Sequence, residues 1–384
     1  MRTSNDHILT THTGSLPRPD QLVDLVYAKQ EGKKVDSDTF ESVVGKTVDE
    51  IVHRQAELGV DVVSDGEVSK AGFVNYISNR LAGFAGVGAP WSLGDMDDLP
   101  ELVIAQYGGA AGQHILMPEC VGPVSYVGQD EVQKDIAHLR HAVLQSPVLE
   151  AFIPATSPGC VTMCAANKHY GSYEDYLWAV ADAMAEEYRT IVKAGFVLQL
   201  DCPDIPMIAH TRGWHDGKKI YGVRGHAELH IQAINRAIKG LPPGMIRLHM
   251  CWGNYSGPHH QDVALGEILE PVLGANVAAY SFEGANPQHE HEWKVFEKIK
   301  LAQDKIIIPG VIDTKTNVLE HPELVAQRIE RYAKLVGRER VIAGTDCGFG
   351  TFVGFGAVHP KVAWLKLESL VRGAQLASKH LWSQ

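Results

Sequence analysis

Along this chain, short apolar runs that end in polar or small residues alternate with amphipathic stretches. Eight runs read as strands: they end at Gly14 and Ser15 (ILTTHTGS), Glu67 (VDVVSDGE), Gly159 (FIPATSPG), Cys202 (FVLQLDC), Cys251 (MIRLHMC), Glu283 (VAAYSFE), Asp313 (KIIIPGVID) and Cys347 (RVIAGTDC). Their Val/Ile/Leu-rich character suits parallel strands covered on both faces. Between them lie helical patterns. Ser172 stands as an N-cap with Glu174 and Asp175 in the first turn, and Tyr176, Val180, Met184 and Ile191 recur at helical spacing until Gly195. The segments Glu41 to Leu58 and Pro322 to Leu335 read the same way. Such alternation predicts an α/β fold, and eight units predict a closed (β/α)8 TIM barrel, with an open doubly wound sheet as the alternative.

Residues 84–150 break the rhythm with Gly, Pro and acidic clusters (VGAPWSLGDMDDLP) ahead of a second apolar piece, Val121 to Val127. They read as an excursion between strands 2 and 3, a hairpin insertion over the barrel mouth, within a single domain spanning 1–384.

With 45% apolar and 21% charged residues in 384, the chain has enough apolar content for a large core. The net charge of −11 and the lack of any Lys/Arg-rich stretch argue against nucleic acid and anionic membrane surfaces as partners. No apolar run nears the roughly 18 residues of a membrane span. MRTSNDHILTTHTGSLPRP has no apolar signal core, which predicts a cytoplasmic protein. Six cysteines are too sparse for a disulfide scaffold and read as thiols, some of them ligands or catalytic groups.

Barrel active sites form where strands end, so Glu67, Asp201, His249, Cys251, Glu283, Asp313 and Cys347 become the candidates. In an extended strand end, residues two apart face the same side, so His249 and Cys251 are placed to grip one ion together. Glu283 and Cys347 end other strands and are expected to complete a tetrahedral Zn2+ site of imidazole, thiolates and carboxylate. The bland reading is a buried histidine with two inert core cysteines. Two thiolates and one carboxylate would outweigh the ion's charge, which disfavours making hydroxide but suits holding an incoming thiol as an electron-rich sulfur. The expected chemistry is therefore thiol alkylation rather than hydrolysis.

HMC, the glutamate closing YSFE, and DCG resemble the zinc-binding residues of the catalytic barrel of the cobalamin-independent methionine synthase family. GSLPRP, DGE at 65–67, SPGCVT, LQLD at 198–201 and PGVID at 309–313 match that barrel in order. The resemblance implies a zinc-dependent thiol methyltransferase acting on a homocysteine-like acceptor. Glu67 and Asp201 would hold its amino group, and the backbone at Gly14 and Ser15 its carboxylate. Where the family places a histidine, the loop here reads Asp313-Thr-Lys315-Thr. Lys315 becomes the candidate acid or anion clamp, with Asp313 orienting it. The chain lacks the family's second, amino-terminal barrel, and the loop CWGNYSGPHH is more similar to single-barrel relatives. These include the epoxyalkane:coenzyme M transferases and the corrinoid-dependent methyltransferases, so methyl-folate, methyl-corrinoid and an epoxide all stay open as donors. A decarboxylase- or hydrolase-like barrel and a zinc-stabilised binding protein are the readings outside this chemistry. A homo-oligomer is compatible with the sequence.

Among the remaining residues, His259 and His260 read as exposed loop histidines, with a donor-side or substrate role, or that of the acid in place of Lys315, as the alternative; His289 and His291 read as a solvated helix start rather than a second metal site. His12 reads as structural, near the mouth. Cys160, Cys164 and Cys202 read as small buried thiols. Trp252 and Tyr255 read either as donor-pocket walls or as core.

Overall fold

The computed structural model describes residues 1–88, 92–107, 117–209, 211–212 and 217–383. Eight parallel strands form one sheet: β1 Leu9–Thr10, β2 Val62–Val63, β3 Glu150–Thr156, β4 Val197–Asp201, β5 Ile246–Met250, β6 Ala279–Phe282, β7 Ile306–Ile312 and β8 Ile342–Thr345. Each strand pairs with its neighbour in chain order, β1 also pairs with β8, and a parallel bridge between Thr11 and Val62 brings β1 against β2. The predicted barrel is the fold found.

The strands stop earlier than the apolar runs suggest. β2 ends at Val63, because Ser64 and Asp65 bond within the turn and Gly66 and Glu67 adopt positive φ (69° and 56°), which no ladder accommodates. Helix ends follow their capping signals. Asp36 caps Ser37–Leu58, which closes on left-handed Gly59. Ser172 caps Tyr173–Lys193 by accepting from the Asp175 N–H. The third expected helix runs Pro322–Val336.

Within 84–150 the structure separates two kinds of element. Leu81–Ala85 pairs antiparallel with Glu119–Tyr126, which continues in parallel pairing to Ala166–Asn167. Gln129–Leu144, by contrast, packs between the helices 37–58 and 173–193 as a member of the outer ring. Ser92–Leu93 pairs antiparallel with Thr211–Arg212, and Asp95 accepts from the Tyr255 hydroxyl (2.6 Å) and the His259 N–H (3.0 Å). The excursion is thereby tied to the loop that follows β5.

Alternation along each strand divides the core in two. On β5, Ile246, Leu248 and Met250 join the large cluster between sheet and helices, while Arg247 and His249 face the lumen. The lumen holds Leu9, Ala279, Ile306, Ile308 and Ile342, with Val62, Phe152 and Val197 as a second group. Arg247 fills its centre. Its guanidinium donates to Gln199 Oε1, Thr11 Oγ1 and the His12 carbonyl, and lies 3.5 Å from the Phe152 ring centroid. This buried layer is the floor on which the site stands.

Candidate active site

The parity that sends Arg247 into the lumen also sends His249 and Cys251 there, one and two steps nearer the carboxyl end. Cys347 follows β8, and its sulfur joins theirs. The ligand-capable atoms of His249, Cys251 and Cys347 all lie within 4.8 Å of one another, and all three residues are buried. Zinc bonds of about 2.0–2.3 Å bring neighbouring ligand atoms under about 4 Å, so the three side chains are grouped closely enough to converge on one ion. His249 Nδ1 is hydrogen-bonded to Ser281 Oγ (3.0 Å), while its buried Nε2 has no hydrogen-bond partner among the described residues. The Cys251 thiol is pulled down to about 5, chiefly by a hydrogen bond from the Cys347 thiol, with His249 adding to the effect. Two cysteine sulfurs and an imidazole nitrogen without a hydrogen-bond partner among the described residues form a donor set that suits zinc.

Glu283 does not join that group. Its Oε1 accepts from the Trp252 N–H (2.8 Å), and its Oε2 accepts from Asn286 Nδ2 (2.7 Å) and Lys315 Nζ (2.8 Å). Lys315 itself does not line the cavity beside the thiols. Its backbone N–H is held by Asp313 Oδ1, while Asp313 Oδ2 accepts from the Thr316 N–H and hydroxyl. Asp313 thus builds the turn that presents Lys315 to Glu283.

The small cavity beside the cluster, about 60 Å³, is lined by the polar residues Thr13, Ser15, Glu67, Asp201, His249, Cys251 and Cys347 and by the aromatic residues Phe73, Tyr255, Phe352 and Phe355. Burial raises Glu67 to about 7, and the Asp201 charge adds to this against the pull of Lys70. Burial likewise raises Asp201 to about 6, opposed by His249 and by the hydrogen bond from Gln199 Nε2 (2.8 Å). Two carboxyl groups whose charge is poorly solvated form a receptor for a cation, since an ammonium between them relieves both penalties.

Gly14 contributes by its missing side chain. Its φ is +147°, and a Cβ there would sit 2.5 Å from Glu67 Oε1 and 2.8 Å from Pro154 Cγ. Its own N–H is already engaged by His12 Nδ1 (3.2 Å). Ser15 anchors the loop after β8, its carbonyl accepting from the Phe349 N–H (2.8 Å) and its hydroxyl from the Gly350 N–H (3.3 Å).

Several sequence expectations shift. His259 is buried rather than exposed, stacked on Tyr255 with ring centroids 4.2 Å apart and bonded to Asp262. His289 is buried rather than solvated. It stacks on Trp252 (4.0 Å), and against the opposing effect of burial its bonds to Asp262 and Glu292 raise it to about 9. His260 and His291 are exposed. His12 is buried against Gln55, and burial drives it down to about 3. Tyr255 lines the cavity; Trp252 belongs to the core, its indole donating to the Val263 carbonyl. Cys160, Cys164 and Cys202 are buried free thiols.

Sequence reasoning passed over Ser281, Gln199 and Asp346. Asp346 precedes Cys347 and accepts from the Gly284, Ala285 and Asn286 N–H groups and from Asn286 Nδ2 (2.8–2.9 Å), fixing the loop that carries Glu283. A Cβ on Gly310 would meet Asp346 Oδ1 at 2.0 Å, so this contact also requires that glycine. Strand parity marks Gln199 and Ser281 as lumen-facing; a lumen-facing polar residue on a buried strand was the usable signal.

Residues 8–114 match the family profile described as the cobalamin-independent synthase catalytic domain. The methionine synthase of Sulfurisphaera tokodaii is 27% identical over 374 residues, covering 97% of this chain and 93% of that protein. That of Thermococcus kodakarensis is 22% identical over 386 residues, covering 97% and 94%. The B12-independent methionine synthase from Shewanella sp. W3-18-1, solved with selenomethionine, superposes with a TM-score of 0.74 at 21% identity over 98% of this chain and 100% of that one.

Proposed function

We propose, from the premise that this chain is related to the cobalamin-independent methionine synthases, that it transfers a methyl group to the thiol of a homocysteine-like acceptor in a zinc-dependent reaction. The observation that carries this is the convergence of His249, Cys251 and Cys347 with His249 Nε2 uncommitted. Zinc, when bound there, would keep the acceptor's sulfur in its thiolate form at neutral pH.

The chain's own residues supply the rest. Glu67 and Asp201 face the cavity from two strand ends and receive the acceptor's ammonium group, which fixes the distance from that group to the sulfur. The aromatic wall of Phe73, Phe352 and Phe355 excludes water from the attack on carbon. In the transfer, a sulfur–carbon bond forms as the bond from methyl carbon to donor breaks, and its electron pair leaves with the donor. The turn 313–316 ties Lys315 to Glu283, so protonation of the donor is left to solvent or to the donor's own groups.

The test is a thiol-consumption screen. Zinc-loaded protein is offered homocysteine, coenzyme M and glutathione, each with methyl-folate, methylcobalamin and an epoxide. Zinc-dependent formation of methionine from homocysteine is the expected result. Alkylation of coenzyme M by the epoxide alone would replace the reading with epoxide opening, and no consumption of any thiol would end it.

A further inference from the structure

The sequence assigns Glu283 and Lys315 separate tasks, one as a metal ligand and one as an acid. The structure joins them. Lys315 Nζ donates to Glu283 Oε2 at 2.8 Å, with side chains only 8% and 0% exposed. The Trp252 N–H and Asn286 Nδ2 hold the same carboxylate. Neither partner moves easily, because Asp313 pins the turn of Lys315 and Asp346 pins residues 284–286. For Glu283 to bind an ion at the thiols, Lys315 would have to give up its one hydrogen-bonded carboxylate and keep only the charges of Asp346 and Asp262, and breaking a buried ion pair is strongly unfavourable.

We infer that Lys315 sets the number of protein ligands at this centre: it retains Glu283 and leaves the metal with His249, Cys251 and Cys347, one position remaining open to a small molecule. The inference rests on the metal reading proposed above. It also revises the charge of the site. Two thiolates match the ion's two positive charges, and the Glu283–Lys315 pair adds none, so the centre is neutral rather than anionic. Three protein ligands with an open fourth position is the form of a catalytic zinc site, whereas four would close it.

The experiment compares wild type, K315R and K315M, each loaded with zinc, by chelator competition and crystallography. In the wild type Glu283 should remain on Lys315. In K315M the released carboxylate should move to the metal and tighten zinc binding by about tenfold or more, and adding E283Q should cancel the gain. K315R keeps the ion pair and should keep the wild-type affinity, which also covers the case of K315M failing to fold. A Glu283 oxygen within about 2.2 Å of zinc in the wild type would overturn the inference, as would K315M binding zinc no more tightly. A wild type that binds no zinc would overturn the metal reading and this inference with it.

Discussion

Two buried polar clusters stand just beyond the strand ends, and they look alike by residue type. One joins Ser157, Asp204 and His230; the other joins His249, Cys251 and Cys347. The first has the composition of a hydrolytic triad but not its order. The Ser157 hydroxyl donates to Asp204 Oδ1 (2.6 Å) rather than to the histidine, and it also caps the following helix by accepting from the Cys160 N–H. His230 Nδ1 lies on Asp204 Oδ2, and its Nε2 is occupied by the Tyr173 hydroxyl (2.8 Å). Even the backbone is fitted to this cluster, since a Cβ on Gly159 would meet Asp204 Oδ2 at 2.1 Å. No nucleophile is activated there, and among the described residues the Ser157 hydroxyl, the Asp204 carboxylate and both His230 nitrogens are all engaged. In the second cluster His249 Nδ1 is bonded to Ser281, and Nε2 has no hydrogen-bond partner among the described residues. Unspent bonding capacity in a buried place, more than residue type, separates a site from scaffolding.

The largest expected effect tests that contrast directly. Cys251→Ser, which removes a soft donor while keeping the fold, should weaken zinc binding at least ~100-fold and abolish transfer. Unit zinc stoichiometry at unchanged affinity in the variant would put the ion elsewhere.

Asp204→Ala should do the reverse. It strands the Ser157 hydroxyl and His230 Nδ1 in the interior at a combined cost of about 3 kcal/mol, lowering the melting temperature while zinc affinity stays as in the wild type. If zinc affinity collapsed and stability held, the two clusters would have been assigned the wrong way round.

What the sequence made legible follows the same division. The barrel was readable because buried parallel strands leave dense apolar runs, and the meeting of His249, Cys251 and Cys347 because parity and strand ends are local properties of the chain. Glu283 ended a strand just as they did, yet its partner Lys315 lies 32 residues on in another loop, and no local pattern says whether a carboxylate meets an ion or an amine. His259 and His289 were misjudged for a related reason: both sit in loops, where polarity suggests solvent, but Asp262 accepts from both and carries them inward. Asp204 and His230 come from a loop and a distant helix face, so only tertiary packing unites them.

The third prediction concerns pH. Glu67 has its folded-state pKa raised by burial to about 7, above the ordinary glutamate value of 4.5. The sign follows: the ligand-free protein loses stability as pH climbs from near 4.5 through 7, where the buried group is forced to ionise. Binding a cationic amine needs the ionised form, so the acceptor's KM should rise as pH falls below about 7. Glu67→Gln should raise that KM about tenfold or more, weaken its dependence on pH and remove the Glu67 share of the stability lost between pH 4.5 and 7, leaving that of Asp201. A KM with the wild-type pH profile in this variant would place the amine elsewhere.

The smallest effect probes what makes His249 differ from His230. For Nε2 to present a lone pair, Nδ1 must carry the proton, and Ser281 Oγ at 3.0 Å accepts it. Ser281→Ala removes that acceptor while leaving all three ligands, so zinc affinity should fall by about tenfold, well short of the loss from Cys251→Ser, with the melting temperature nearly unchanged. Unaltered zinc affinity would mean that packing alone orients the ring. The free nitrogen would then mark a gap in the hydrogen bonding, and the distinction between the two clusters would have to rest on the thiols.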